Sequence, residues 1–385
     1  MLYSQEKVKT PPMSFELNTI PEAIEEIKKG KVIIVVDDED RENEGDFICA
    51  AECITPEIVN FMSTHGRGLI CTPIEERLAD HLNLNLMVSE NTALHETAFT
   101  VSIDLIGNGC TTGISAHDRS ACIKALVNPE IKATDFARPG HIFPLRAKSG
   151  GVLRRTGHTE AAIDIAKLAG FSPAGVLVEI LNEDGSMARL PHLKEIARKF
   201  DLKIISIDDL IAYRMKNERL VFQEKRIPFE TEYGSFELKS YREENSAELH
   251  IAIVKGQWSE NEPILVRVHS SSATGDLISS MFNDTEDKLR QSLLRIHEEG
   301  KGAVLIMRQA ERVDTFENRL REFESTRDIK SLIGTRNMPQ RDFGVGAQIL
   351  RDMGIRKINL LTNNVKRRIG LIGYGLEIVD TTKIS

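Results

Sequence analysis

Seven carboxylates fall within ten residues of this chain: Asp37, Asp38, Glu39, Asp40, Glu42, Glu44 and Asp46, interrupted by Arg41, Asn43 and Gly45. They directly follow an apolar, β-branched run over residues 32–36 that reads as a buried strand. Like charges crowded at a strand end repel one another unless something neutralises them. A divalent cation is suited to that task, because Mg²⁺ takes oxygen ligands and few protein groups. A solvated acidic loop is the competing reading, since most charge runs are solvated.

Four more segments have the residue types of a site. Residues 111–115, TTGIS, set hydroxyls beside a glycine and precede Asp118 and Arg119. Such a loop can offer N–H and hydroxyl donors to an anion, or Ser115 can simply cap a helix. Residues 138–141, RPGH, put a cation and the titratable His141 in what reads as a turn. Arg154, Arg155, Thr156, Gly157, His158, Thr159 and Glu160 combine guanidinium groups, hydroxyls and an imidazole at a helix start. That position attracts an anion and suits bidentate phosphate binding; a capped, solvated helix start is the alternative. Glu179 interrupts an apolar strand, where it either points outward or is buried with a partner or a raised pKa. Together these residues sketch a metal-and-phosphate site suited to enolising a small phosphorylated ketose.

The elements that must position them are those of a mixed α/β chain. A length of 385 residues suits two domains, and 41% hydrophobic with 28% charged residues is ordinary globular composition. The net charge of −8 leaves no electrostatic footprint for nucleic acid, and no apolar stretch reaches membrane-spanning length. All five cysteines (Cys49, Cys53, Cys71, Cys110 and Cys122) lie in the first third without a zinc-ribbon spacing, which suits a reduced cytoplasmic protein. Helices are expected at 21–29, 56–63, 117–126, 158–169, 193–200 and 207–215. Strands are expected at 32–36, 68–71, 99–103, 176–181 and 203–207. Residues 1–14 read as a flexible tail and 216–226 as a linker. Beyond it, antiparallel-looking strands at 235–238, 249–254 and 264–268 give way to helices at 287–298 and 346–352 alternating with strands at 303–307 and 358–361.

The motifs DDEDRENEGD, TTGISAHDR, DFARPGHIFPLRA, GGVLRRTGHTEAAIDIAKLAG and EILNEDGSMAR resemble 3,4-dihydroxy-2-butanone 4-phosphate synthase over residues 15–215. The resemblance implies an α/β-sandwich synthase domain, a lyase converting D-ribulose 5-phosphate to a four-carbon phosphate and formate in riboflavin biosynthesis. It implies Mg²⁺, with Mn²⁺ as an alternative, on Glu42 and His158. It implies substrate binding by Arg41, Glu42, Asp46, Arg155, Thr156, Gly157, His158, Thr159 and Glu179, and catalysis by His141 and Glu179. It further implies a homodimer with its sites near the interface. A base would take the C3 proton to give an enediol; loss of the C1 hydroxyl, a 1,2-shift and hydration would release C4 as formate.

Residues 227–385 resemble GTP cyclohydrolase II through VRVHS at 266–270, TGD at 274–276, RDFGVGAQIL at 341–350, LLTNN at 360–364 and GYGL at 373–376. That family holds Zn²⁺ through cysteines spaced C-x10-C-x-C, and the matching positions here are Ser272, Asn283 and Thr285. Its guanine-binding acidic residue falls at Ala310 and its catalytic Asp at Pro339, while Arg341 and Lys366 are kept and Arg367 replaces a lysine. Zinc prefers thiolate and imidazole, so no zinc and no GTP cyclohydrolase activity are expected. Retained activity by another route and a binding or scaffold module are the alternatives.

Overall fold

The computed structural model describes residues 17–39, 41–89, 91–93, 97–244, 248–272, 285–309, 321, 324–325, 327, 343–363 and 374–384. Among them the chain forms two mixed sheets of seven strands each. Helix α1 (Ile20–Lys28) begins at a capping box in which Thr19 and Glu22 satisfy each other's backbone N–H, with Pro21 in the first turn. Strand β1 (Ile33–Val36) is buried throughout, and β2 (Gly45–Ala50) returns antiparallel beside it. Residues 37–44 of the acidic decapeptide thus connect two buried strands, and its last two residues open the second.

The first domain continues with α2 (Pro56–His65), β3 (Cys71–Glu75), α3 (Glu76–His81), β4 (Ile103–Leu105), α4 (Ala116–Leu126) and β5 (Phe136–Ala147). It ends with α5 (His158–Leu168), β6 (Gly175–Glu179), α6 (Leu190–Phe200), β7 (Ile204–Ser206) and α7 (Ile207–Asn217). Its sheet order is β4-β5-β3-β6-β2-β1-β7. Ile24 of α1, Ala161 and Ile165 of α5 and Leu210 of α7 cover one face against Ile33, Ile48 and Leu177. Val59 of α2, Ile123 of α4 and Leu193 of α6 cover the other against Ile34, Phe47, Val176 and Val178. Covering on both faces explains why these strands read as unbroken apolar runs. Val35 pairs with Asp46 and Asp46 with Glu179, so all three side chains share the α5 face at one sheet end.

The second sheet holds β8 (Val221–Thr231), β9 (Gly234–Glu243), β10 (Leu249–Lys255), β11 (Pro263–Ser272), β12 (Gly302–Gln309), β13 (Lys357–Leu361) and β14 (Glu377–Thr382). Helices α8 (Thr285–Glu299) and α9 (Phe343–Asp352) accompany them, and the order is β14-β13-β11-β12-β10-β9-β8. Strands β8, β9, β10 and β12 pair antiparallel, while β12, β11, β13 and β14 pair parallel. One hydrophobic cluster runs from Ala161 and Ile165 of α5 through Tyr374 to Val266 and Leu305, so the domains share a core.

The structure departs from the sequence reading in several places. Residues 216–226, read as a linker, hold the end of α7 and the first half of β8. That strand is exposed along most of its length and carries no apolar period to betray it. Residues 138–141, read as a turn, run inside β5. Of residues 99–103, Phe99 and Thr100 form only isolated bridges and Ile103 opens β4. The residues read as a tail, 1–14, lie outside the described residues. No described helix is long and apolar enough to cross a membrane.

Candidate active site

The loop between β1 and β2 is organised by its first carboxylate. Asp37, with its side chain 1% exposed, accepts the backbone N–H of Glu44 at 2.8 Å and of Glu42 at 3.1 Å. Arg41 lies buried between Asp37 and Glu42, with Nη1 at 2.7 Å and 2.9 Å from their oxygens. Burial opposes its charge, but the two carboxylates prevail and raise its pKa. Arg189, just before α6, donates to the carbonyls of Glu42 and Asn43 from the other side. Of the carboxylates in the run to which the resemblance assigns no role, Asp37 shapes the loop, and Asp40 lies outside the described residues.

His158 opens α5 and is buried. Its Nε2 lies 3.1 Å from the Val35 carbonyl oxygen and donates to it. Nδ1 therefore keeps its lone pair, and it lies 3.9 Å from Glu42 Oε2. Burial, ahead of every other influence, lowers the imidazole pKa and favours the neutral ring. Ligand atoms of Asp37, Glu42 and His158 all lie within 4.8 Å of one another. A neutral imidazole pinned by a backbone carbonyl beside two carboxylates is a fitting donor set for a hard divalent cation.

Asp46 and Glu179 stand side by side on β2 and β6. Asp46 is buried, and its Oδ1 finds no hydrogen-bond partner among the described residues. Burial first, then the carboxylates of Glu179, Glu42, Glu44 and Asp37, push its pKa well above the usual range. Glu179 is anchored instead: Leu69 N–H donates to its Oε2 at 2.9 Å. Gly68 permits that approach, since a Cβ there would lie 2.4 Å from Oε2. Cys71 is buried beside this pair; burial pushes its thiol up, so it is an uncharged neighbour rather than a nucleophile.

His141 stands apart from this group. Strand β3 separates β5 from β6, which sets His141 about 10 Å, two strand spacings, along the sheet from Glu179. Its Nδ1 lies 2.7 Å from Asp104 Oδ2, and its backbone N–H donates to Oδ1 at 2.9 Å. This carboxylate fixes Nδ1 as the donor and leaves Nε2 to act.

The two guanidinium groups of the 154–155 pair part company. Arg155 Nη1 donates to Glu160 Oε2 at 2.6 Å, whereas Arg154 Nη2 donates to Glu243 Oε1 of the second domain at 2.5 Å. Gly157 is the N-cap residue of α5, and no side chain caps it. A Cβ there would lie 2.4 Å from Arg155 Nη1, so glycine lets the guanidinium lie over the helix start. Thr156 is half-buried and Thr159 is buried in the first turn. The 111–115 loop is committed elsewhere: the Asp118 carboxylate takes the Thr111 hydroxyl and Gly113 N–H, and Ser115 caps α4. The Thr111 hydroxyl above all holds the Asp118 carboxyl below its ordinary range.

Sequence reasoning missed Asp37, Asp104, Glu160 and Arg189 as partners of the site. Arg189 closes the EILNEDGSMAR motif and Asp37 opens the acidic one, so position in a motif was the available signal. Glu160 stands in the same motif as its partner Arg155, five residues away, and shared that signal, whereas Asp104 had none, because its pairing with His141 is set by folding. A second grouping, Glu243, Glu248 and His250, gathers in the other domain. His250 Nδ1 accepts Arg308 N–H at 3.1 Å, which places the ring proton on Nε2, the nitrogen 3.6 Å from Glu243. A metal would need that nitrogen bare, so the grouping is a polar cluster. Ser272 ends β11 and Thr285 begins α8, while Asn283, Ala310, Pro339, Arg341, Lys366 and Arg367 lie outside the described residues.

A profile of 3,4-dihydroxy-2-butanone 4-phosphate synthase matches residues 21–213, and one of GTP cyclohydrolase II matches residues 223–383. The chain is 56% identical to the riboflavin biosynthesis protein RibBA of Cytophaga hutchinsonii over 374 residues, 96% of this chain and 92% of that one. RibBA of Bacillus cereus is 54% identical over 94% of this chain and 92% of its own. Among solved structures, RibBX of A. baumannii, described as a two-domain 3,4-dihydroxy-2-butanone 4-phosphate synthase, matches with a TM-score of 0.65 and 39% identity, covering 95% of this chain and 99% of that one. A 3,4-dihydroxy-2-butanone 4-phosphate synthase in complex with two magnesium ions matches with a TM-score of 0.50 and 41% identity, over 52% of this chain and 98% of that one. The chain therefore belongs to the 3,4-dihydroxy-2-butanone 4-phosphate synthase family, joined to a GTP cyclohydrolase II domain in the manner of the RibBA proteins, and is an enzyme of riboflavin biosynthesis that makes 3,4-dihydroxy-2-butanone 4-phosphate.

Proposed function

We propose that residues 15–215 convert D-ribulose 5-phosphate to 3,4-dihydroxy-2-butanone 4-phosphate and formate with Mg²⁺ or Mn²⁺, and that residues 227–385 have lost GTP cyclohydrolase activity. The observation that carries the first part is the Asp37, Glu42 and His158 grouping with the imidazole tautomer fixed by Val35. Glu42 and His158 are the proposed metal ligands, with Asp37 ordering the loop behind them. The magnesium complex of a synthase structure supports the choice of ion. The ion would polarise substrate oxygens and stabilise negative charge that develops on them.

The chain's own residues do the rest. Arg155, Thr156, Gly157 and Thr159 bind the phosphate at the start of α5, where the helix dipole favours an anion. Arg41 holds Glu42 in place from below. Glu179, with Oε2 tied to Leu69, presents Oε1 as the acceptor of the C3 proton. Asp46, whose surroundings favour its protonated form, supplies a proton to the departing C1 hydroxyl. Two adjacent carboxyls in such different surroundings are suited to opposite acid–base roles. His141 Nε2, oriented by Asp104, moves a further proton during hydration. Asp104→Asn is expected to lower kcat by roughly 10–100-fold with little change in KM, because a mis-set tautomer impairs proton transfer and not binding. Steady-state formate release checks this.

Exposed Leu69 adjoins Glu179, and exposed Ile114 follows Gly113, which packs on the Asp104 partner of His141; these apolar side chains support a homodimer with sites near its interface. Five free cysteines support a cytoplasmic protein, and the net charge supports no nucleic-acid partner. Loss of the second activity is supported by Ser272, Asn283 and Thr285 at the zinc positions and by the lack of any cysteine after Cys122. The two-domain A. baumannii protein, described by the synthase activity, is consistent with it.

One preparation tests both halves. Purified protein with Mg²⁺ should release formate from D-ribulose 5-phosphate, stop when EDTA is added, and release none from GTP. No formate from the pentulose overturns the synthase site. Formate and a pyrimidine product from GTP, or stoichiometric zinc by elemental analysis, overturns the loss of the second activity in favour of a bifunctional enzyme.

A further inference from the structure

The corner that leads into the proposed phosphate site is held on two sides by different domains. Residues 150–155 turn through a short 3-10 segment (Gly151–Leu153) before α5 begins. From within the first domain, Arg214 donates to the Gly150 carbonyl at 2.9 Å and to Asp164 at 2.6 Å, and Asp164 accepts Val152 N–H at 2.7 Å. From the second domain, the buried hydroxyl of Tyr374 donates to the Val152 carbonyl at 3.1 Å. Gly344 packs so closely that a Cβ there would lie 1.7 Å from the Leu153 carbonyl oxygen. Glu243, 3% exposed at its side chain and pressed against His250, then takes Arg154 at 2.5 Å. Arg154 and Arg155 both donate their backbone N–H to the Gly151 carbonyl, so the corner moves as one piece.

We propose that Glu243, seconded by Tyr374, is a positioning residue for the synthase reaction: by holding Arg154 it sets the Arg155 guanidinium over the start of α5, and the second domain thereby completes the phosphate site of the first. A buried carboxylate with a guanidinium partner is costly to leave unpaired, so the clamp has one preferred state. Arg154 is the only residue of the corner with its side chain in an ion pair across the domains among the described residues. This proposal rests on the reading of Arg155 as a phosphate ligand.

The test uses the full chain and follows formate release from D-ribulose 5-phosphate. Glu243→Gln is expected to raise KM roughly 5–20-fold while kcat stays within about 3-fold, since the reacting carbons are remote from the clamp. Glu243→Asp should restore most of the KM, and Arg154→Met combined with Glu243→Gln should be no worse than the poorer single variant. Glu224→Gln, an exposed partner of Arg242 on the same domain, is the control and should match wild type. Thermal melts accompany each variant. A lower melting temperature with an unchanged KM overturns the proposal and leaves Glu243 a domain staple; so does a loss in kcat and KM that Glu243→Asp does not relieve. Arg155→Met separates the underlying reading: if it leaves KM at the wild-type value, the phosphate assignment fails whatever Glu243 does.

Discussion

Glu42→Gln is expected to reduce kcat/KM for formate release by about 10³-fold, the several kcal/mol that a bound divalent ion contributes to stabilising developing oxyanions. Glutamine keeps the size of the side chain and can still receive a hydrogen bond from Arg41, so the loop should hold its shape. Asp37 continues to take the Arg41 guanidinium and the Glu42 and Glu44 N–H groups, none of which depends on the Glu42 charge. What is lost is the anionic charge of a proposed metal ligand opposite His158 Nδ1. Mn²⁺ binding followed by electron paramagnetic resonance should weaken in parallel with activity, and circular dichroism should not change. Mg²⁺-dependent turnover at the wild-type rate would remove Glu42 from the metal site.

His158 makes a matched control for the same argument. Its Nε2–H bond to Val35 ties the imidazole to the strand from which the acidic loop departs. The orientation of the imidazole is thereby set by the main chain and not by a neighbouring side chain. The loop and helix therefore meet at a distance set by β1, α5 and their packing, and not by the ligands alone.

This division explains what the sequence could convey. The strand before the acidic burst, the helix that begins at His158 and the stop after it follow from local pattern, and each appears within a few residues of its expected place. The motifs single out Glu42, Asp46, His158 and Glu179 as candidates, and the fold brings these four to one sheet end. Partners separated by long stretches of chain were not legible. Asp104 meets His141 across 37 residues and Arg189 meets Glu42 across 147, and nothing in local spacing encodes either pairing. Strand β5 was hidden for another reason: Pro139 and Gly140 read as turn residues, yet they sit where β5 has only short β4 beside it at the sheet edge. Strand β8 escaped because an exposed ribbon carries no buried period. The carboxylate crowding was visible from the first, but its energetic meaning needed the burial of Asp46.

Asp46→Asn follows from that crowding and should separate stability from activity. Asp46 is buried among four other carboxylates, so its folded-state pKa is raised above the unfolded value. For an acid with a raised folded pKa, the unfolded chain sheds its proton first. Stability is therefore undiminished below about pH 4, near the unfolded Asp value, and declines as pH rises from there toward the folded pKa. Asparagine cannot ionise, and its amide can donate across the strand pair to Glu179. In EDTA at pH 7.5 the variant should be more stable than wild type by roughly 1–2 kcal/mol, the scale of a buried unsatisfied polar group. The advantage should shrink toward zero at pH 4.5 and narrow when Mg²⁺ is added, because a cation offsets the same repulsion in the wild type. Formate release should meanwhile fall by about 10²–10³-fold, since the proposed proton donor has been removed. Denaturant melts across pH, with and without Mg²⁺, set beside turnover on the same samples, decide it. A variant less stable than wild type at pH 7.5 would show that Asp46 is charged and well compensated in the fold; a variant that keeps its turnover would show that the departing hydroxyl takes its proton elsewhere.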